Sequence, residues 1–250
     1  MRRLLLINPN TAASVSALLQ KHAQVAAGPQ AQVDVVTARF GAPYIACEAS
    51  FAVAGHAVLD AWAAAQAKAQ SAGHAPYGAV LIACFGDPGL LALRQICPVP
   101  VTGLAEAAFS QASRHGRFAI VTGGAAWKPM LERLAHSLGY GQGQLAGVHT
   151  VVQTGAELAR NPEAAQAILT QACNDAAAST SAAAVILGGA GLAGMAQTLQ
   201  SGVAVPVIDS VIAGVQHALS RCGSTKAPPP PLGFAWGQVS PELAATGTAT

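Results

Sequence analysis

Short unbroken apolar runs alternate along the whole chain with longer, alanine-rich stretches of mixed polarity. The runs fall at 3–8 (RLLLIN), 33–38 (VDVVTA), 78–84 (GAVLIAC) and 99–104 (VPVTGL), then at 117–123 (RFAIVTG), 147–153 (GVHTVVQ), 183–189 (AAVILGG) and 205–210 (VPVIDS). Runs of this length without polar alternation suit strands buried on both faces of a parallel sheet. Between them the pattern predicts helices over 11–26, 50–70, 87–96, 103–114, 126–138, 162–178 and 209–221. A strand–helix alternation of this kind implies α/β architecture with helical crossovers.

The second half of the pattern repeats the first. LIACFGDPGLLALRQICPVPVTGL lines up with ILGGAGLAGMAQTLQSGVAVPVIDSV, setting Gly86 opposite Gly191, Gly89 opposite Gly194 and Leu90 opposite Met195, each 105 residues on. Pro100-Val101 falls opposite Pro206-Val207, one residue further along. LLLINPNTAASVSALL also resembles FAIVTGGAAWKPMLERL as strand, turn and amphipathic helix. Two units recurring in the same order predict two pseudo-symmetric lobes, each a parallel sheet flanked by helices, with the active-site cleft between them at the carboxyl ends of the strands. The expected division is 1–98 plus 208–223 for lobe 1 and 99–207 for lobe 2, leaving 224–250 as a proline-rich tail. Four consecutive prolines in that tail cannot continue a helix or a strand, so it is expected to be loose or draped on the surface, with Phe234 and Trp236 as possible anchors.

Composition narrows the classes. The chain of 250 residues is 52% hydrophobic and 10% charged, with a formal net charge of +2 and no Lys/Arg cluster, which excludes a phosphate-backbone binder. No uninterrupted apolar run reaches the length of a membrane span, and Leu4–Ile7 is too short for a secretion signal, so a cytoplasmic protein with no membrane partner is expected. The five cysteines are dispersed, without CxxC or a metal-ligand spacing with histidine, and Cys97, Cys173 and Cys222 read as packing groups.

Cys84 is different. It ends a buried run and precedes the glycine turn FGDPG, where backbone N–H groups converge and, with the start of the following helix, can hold a thiolate or a substrate carboxylate, so Phe85 and Gly86 are substrate-binding candidates. Asp87-Pro88 has the form of an N-cap and first residue for a helix beginning there. In INPNT, Pro9 restrains the turn, Thr11 can cap the next helix, and Asn8 with Thr11 can hold a carboxylate or ring carbonyl. Its counterpart VTGGAAW offers Thr122 and the amides of Gly123 and Gly124 for anion binding. Gly189 and Ala190 stand opposite Cys84 and Phe85 in the repeat, and Asp209 opens the last helix as an N-cap or a site group. Glu48, Ser50 and His56 lie where a loop or helix start could bring them to the cleft. No GxGxxG, Walker A or HExxH pattern occurs, and ILGGAGLAG lacks the acidic residue that a dinucleotide site needs at a second strand end, so no cofactor is expected.

Taken in order, INPNT, ACFGDPGL, VTGG…W, VILGGAGLAG and VPVID resemble the aspartate/glutamate/hydantoin racemase superfamily, most of all its hydantoin and allantoin racemase branch, over nearly all of residues 3–222. The resemblance implies a cofactor-independent isomerase, a homo-oligomer, in which two cysteines flank a substrate's α-carbon, one removing a proton and the other delivering one to the far face. Cys84 matches the first cysteine, and Asn8, Thr11, Thr122 and Gly123 match positions that contact substrate. The second cysteine is absent: the family's LGC reads LGG here, with Gly189 in its place. Three outcomes stay open. Asp209, Glu48, His56 or Asp87 replaces the second thiol; a single thiol serves a decarboxylase or lyase that protonates one face of an enediolate; or the chain binds a small carboxylate or cyclic ureide without turnover. The low charge and small or apolar candidate lining point to a neutral ring or monoacid over a dicarboxylate.

Overall fold

The computed structural model describes residues 1–141, 143–224 and 232–247. Strands β1 (Arg2–Asn8), β2 (Ala31–Thr37), β3 (Ala79–Ile82) and β4 (Val101–Gly103) form one parallel sheet in the order β2-β1-β3-β4. Strands β5 (Phe118–Gly123), β6 (Leu145–Val151), β7 (Ala184–Gly188) and β8 (Val207–Asp209) form a second parallel sheet in the matching order β6-β5-β7-β8. The apolar runs are strands because helices cover them: Leu4–Ile7 and Val80–Ile82 are fully shielded from solvent. The α/β fold with two lobes is therefore observed.

The helices are α1 (Ala13–Ala27), α2 (Glu48–Ser71), α3 (Leu90–Ile96), α4 (Leu104–Ala112), α5 (Trp127–Ser137), α6 (Gly155–Arg160), α7 (Pro162–Thr180), α8 (Met195–Leu199), α9 (Ser210–Ser220) and α10 (Pro241–Ala244). Two of them interlock the lobes. Helix α4 leaves the first sheet and packs on β7 and β8 of the second, whereas α9 leaves the second sheet and returns to α1, β1 and β3 of the first. Gly214 permits this close crossing, because a Cβ there would lie 2.8 Å from Leu104 and 3.0 Å from Leu81. One apolar core consequently spans both lobes, with Leu4, Leu81, Phe85 and Phe109 meeting Phe118, Ile120 and Ile186. Phe109 stacks on Phe118 at 5.5 Å and receives Phe85 edge-on at 6.1 Å. Each such buried ring contributes about 1.5–3 kcal/mol, so the lobes form a single hydrophobic unit.

Several expectations need correction. Strand β4 hydrogen-bonds to β3, so the first sheet extends past the boundary expected at 98. Helix α3 starts at Leu90 rather than 87, because Asp87 has φ +54, a left-handed conformation unlike the extended one of an N-cap. Thr11 does not cap α1; the N-cap is Ala12, without a side-chain bond, and its N–H is instead taken by Asn10 Oδ1 at 2.9 Å. The tail is not wholly loose. Its four prolines lie outside the described residues, but α10 docks on α2 through the buried Leu243, helped by Arg39, which pairs with both Asp60 and Glu242. Phe234, stacked edge-on with Trp236, is half exposed, so Leu243 is the anchor. Among the described residues no helix is long and apolar enough to cross a membrane.

Candidate active site at the end of the third strand

Just beyond the carboxyl end of β3 the chain meets the end of β7 in the other lobe, with Phe85 against Gly188. Cys84 sits two residues beyond β3 and retains 8% exposure, against 2% for Cys97 and 0% for Cys173. Burial, and then the nearby Asp87 carboxylate, push its thiol well above the usual value, so the resting group is a neutral thiol. Among the described residues no acceptor lies within hydrogen-bond reach of the N–H groups of Phe85 and Gly86, both buried residues beside that sulfur. Buried backbone donors without a partner are rare, and two in succession next to a thiol suit a substrate oxygen.

The same turn meets the second lobe. The Phe85 ring packs so close to Gly188 that any Cβ there would overlap it. A Cβ on Gly86 would lie 2.5 Å from the Trp127 indole and 3.3 Å from Phe51. Gly86 has φ +156, and Trp127 and Phe51 stand edge to face at 6.4 Å above it. Glycine is required here by the close approach of the opposite lobe.

Asp87 closes the turn from behind. Its N–H donates to the Cys84 carbonyl at 3.0 Å, and its carboxylate accepts from the N–H groups of Ala105 and Glu106, at 2.9 and 2.8 Å, capping α4. Burial pushes the carboxyl up to about 7 against the pull of those donors. Asp209 does the reverse in lobe 2: it caps α9 by accepting from Val211 and Ile212 and takes the Gly194 N–H at 2.7 Å. Burial raises its carboxyl as well.

Other sequence candidates are present but already engaged. Asn8 is fully buried; its amide donates to Asn10 Oδ1, Ala12 O and Ser16 Oγ, so it builds the INPNT turn. The Thr11 N–H donates to Ala42 O. Thr122 donates to Gly188 O at 2.7 Å, tying β5 to β7. The amides of Gly124 and Gly189 are not bare: they donate to Val151 O at 3.1 Å and to Ser210 Oγ at 3.2 Å. Ala190 is half-buried beside Gly189. Of the groups suggested for a second acid or base, Glu48 pairs with Arg133 at 2.7 Å on the surface. His56 is exposed and meets Phe40 edge to face, and both aspartates are committed to helix caps. Ser50 binds the backbone of Ala46 and Cys47 at the start of α2. Among the described residues no three His, Cys, Asp or Glu side chains gather to hold a metal ion.

The sequence reading missed Tyr44. From the loop between β2 and α2 its hydroxyl crosses to lobe 2 and donates to Gly123 O at 3.4 Å. The Trp127 indole, the Gly155 amide and the Cys84 thiol lie near enough to bear on its ionisation. Burial raises the phenol, and the Trp127 and Gly155 donors oppose that. The signal was in PYIACEASF, where an aromatic hydroxyl stands just ahead of a long helix.

Residues 4–218 match the family described as Asp/Glu/Hydantoin racemase. A hydantoin racemase of Pseudomonas sp. (strain NS671) is 33% identical over 213 residues, 85% of this chain and 82% of that protein. One from Rhizobium meliloti is 31% identical, over 88% of each. In structure, the allantoin racemase from Klebsiella pneumoniae matches with a TM-score of 0.80 and 32% identity, over 88% of this chain and 87% of that one. Arylmalonate decarboxylase, at 17% identity and a TM-score of 0.61, shares the fold.

Proposed function

The chain belongs to the Asp/Glu/Hydantoin racemase family, an isomerase of the racemase class, and from that premise we propose that it inverts the acidic α-carbon of a cyclic ureide or small amino-acid derivative of the hydantoin or allantoin type, without a cofactor, with Cys84 as acid/base thiol. The observation that carries this reading is the Cys84 sulfur beside the two unpartnered amides of Phe85 and Gly86 at the lobe junction. The C–H beside a ring carbonyl is a weak acid, and its proton leaves only if the enolate oxygen is stabilised by donors already in place. Phe85 and Gly86 supply two such donors without reorganisation. The apolar wall of Phe85, Trp127 and Phe51 keeps bulk water away, which strengthens those bonds. The low charge of the chain favours a neutral ring amide over a dicarboxylate.

The test is to incubate single enantiomers of 5-benzylhydantoin and allantoin in deuterated water. Inversion with deuterium entering at the α-carbon is the expected result. Cys84→Ser is expected to abolish exchange, and full activity in that variant would remove the assignment. Because the thiol is held neutral, turnover is expected to climb as pH rises from neutral into the alkaline range, following the thiolate fraction.

A further inference from the structure

Racemisation through a planar intermediate needs one proton acceptor on each face, and position 189 carries no side chain to provide the second. Of the four groups the sequence suggested for that role, Asp87 and Asp209 are bound to helix N-termini and Glu48 to Arg133, while His56 is exposed beside Phe40. Serine 210, which is buried next to Gly189, already accepts that residue's N–H.

We propose that Tyr44 is the opposite-face acid/base, its hydroxyl standing on the lobe 2 wall across from Cys84 in place of the missing second thiol. This rests on the racemase reading above. Three features of the geometry carry it. The side chain starts in lobe 1 but places its oxygen against the ends of β5 and α6, donating to Gly123 O and lying 3.4 Å from the point where a Gly124 Cβ would be. That is the lobe from which a second thiol would have projected. Burial raises this phenol, and the nearby Trp127 indole and Gly155 amide offset part of that cost to the phenolate that proton donation leaves behind. The bond to Gly123 O is long, so the hydroxyl proton is weakly held and can be redirected to a carbon in the cleft. The charged or titratable groups facing this phenol are Cys84 and Glu157, and Asp87 stands behind the thiol.

The proton count closes with one proton shared between two groups. When Cys84 is the thiolate, it takes the α-proton, and the C–H electron pair moves onto the carbonyl oxygen held by Phe85 and Gly86. The enolate then re-forms a C–H bond by taking the Tyr44 proton on its other face, leaving the phenolate. Solvent returns the proton from Cys84 to Tyr44. For the opposite enantiomer the roles exchange, with Tyr44 phenolate as base and the Cys84 thiol as acid.

The experiment compares the wild-type chain with Tyr44→Phe on (R)- and (S)-5-benzylhydantoin in deuterated water, following inversion by circular dichroism and label by mass spectrometry. Loss of one of two bases is expected to lower kcat for inversion by about 10²–10⁴-fold, with KM within about threefold. One enantiomer should still exchange its α-hydrogen with retention, driven by Cys84 alone, while the other should not exchange. Tyr44→Phe that inverts at near wild-type kcat overturns the proposal, as does a variant in which only KM rises. A wild-type chain that exchanges one enantiomer with retention and never inverts also overturns it, while leaving Cys84 as a working base. A wild-type chain with no exchange on either substrate sinks the racemase reading instead. Should Tyr44→Phe fold poorly, Tyr44→His is the second variant: an imidazole that restores inversion supports proton transfer at this position, and one that folds but stays inactive counts against it.

Discussion

The turn after β3 and the turn after β7 occupy equivalent places in the two lobes, and each uses one buried carboxylate to tie itself to the helix that crosses to the other lobe. The carboxylate comes from opposite sides. In lobe 1 it stands in the turn, as Asp87, and reaches to Ala105 and Glu106 of α4. In lobe 2 it stands at the strand end, as Asp209, and reaches back to Gly194 of the turn. The repeat pairs Asp209 with Gly103, and a Cβ on Gly103 would overlap the Asp87 carboxyl. The gap between turn and helix therefore accepts one acid from either bank, but not two. The consequence is chemical. Among the described residues, only in lobe 1 does the acid share a turn with a thiol, raising it. In lobe 2 the position equivalent to Cys84 is Gly189, which has no side chain and whose N–H goes to Ser210. The fold is nearly symmetric and the site is not.

Removing each carboxylate probes the comparison most strongly. Asp209→Ala strands three N–H groups (Gly194, Val211 and Ile212), two of them at a helix N-terminus, and is expected to cost about 3–5 kcal/mol in urea unfolding. Asp87→Ala strands two and relieves a burial that its carboxyl already resists, so about 1–3 kcal/mol is expected. Equal losses, or the reverse order, would break the idea that the two acids perform the same structural task with different numbers of bonds.

Asp87→Asn sharpens the comparison through pH. The folded-state carboxyl titrates near 7, above the unfolded value for aspartate, so the folded chain binds more protons between those two values. Stability contributed by this group is present below about pH 4 and is lost as pH rises toward 7. The wild-type Tm advantage over Asp87→Asn should accordingly shrink from pH 4.5 to 7.5. At pH 8 the variant's Cys84 should react faster with iodoacetamide, because removing the neighbouring negative charge lowers the thiol's pKa. The corresponding Asp209→Asn should leave that alkylation rate unchanged.

Much of this architecture was legible in the chain. Every predicted apolar run contains a strand: β3, β5 and β7 are buried throughout, and the half-buried strands β2 and β6 still carry enough apolar positions to show the pattern. The strand-end position of Cys84, two residues beyond β3, was legible too. What failed was partnership. Asn8, Thr122 and the amides of Gly124 and Gly189 have the right chemistry for a ligand, yet local hydrogen bonds consume them. Asp87-Pro88 has the composition of a cap for the helix next to it, but the left-handed φ sends the carboxylate to a helix beginning 17 residues on. Short helices α6 and α8 have too few turns to show a period. Tyr44 reaches its site across the lobe junction, a distance no spacing in the sequence encodes.

The smallest expected effect comes from restoring the lost symmetry itself. Gly189 has φ +146, so any side chain there carries backbone strain of about 1–2 kcal/mol. Space is not the obstacle: a Cβ would meet only Leu192, at 3.5 Å, in ordinary contact. Gly188, one residue earlier, and Gly86 could not be altered so cheaply, because Phe85 and Trp127 already fill their Cβ positions. Gly189→Cys is thus expected to fold with a modestly lowered Tm, while Gly188→Cys should be far less stable. If a thiol at 189 faces the cleft from lobe 2, Gly189→Cys placed in the Tyr44→Phe background should regain inversion of 5-benzylhydantoin. A thiol that titrates with iodoacetamide in that double variant but restores no inversion would mean that lobe 2 presents its strand end to solvent rather than to the face opposite Cys84.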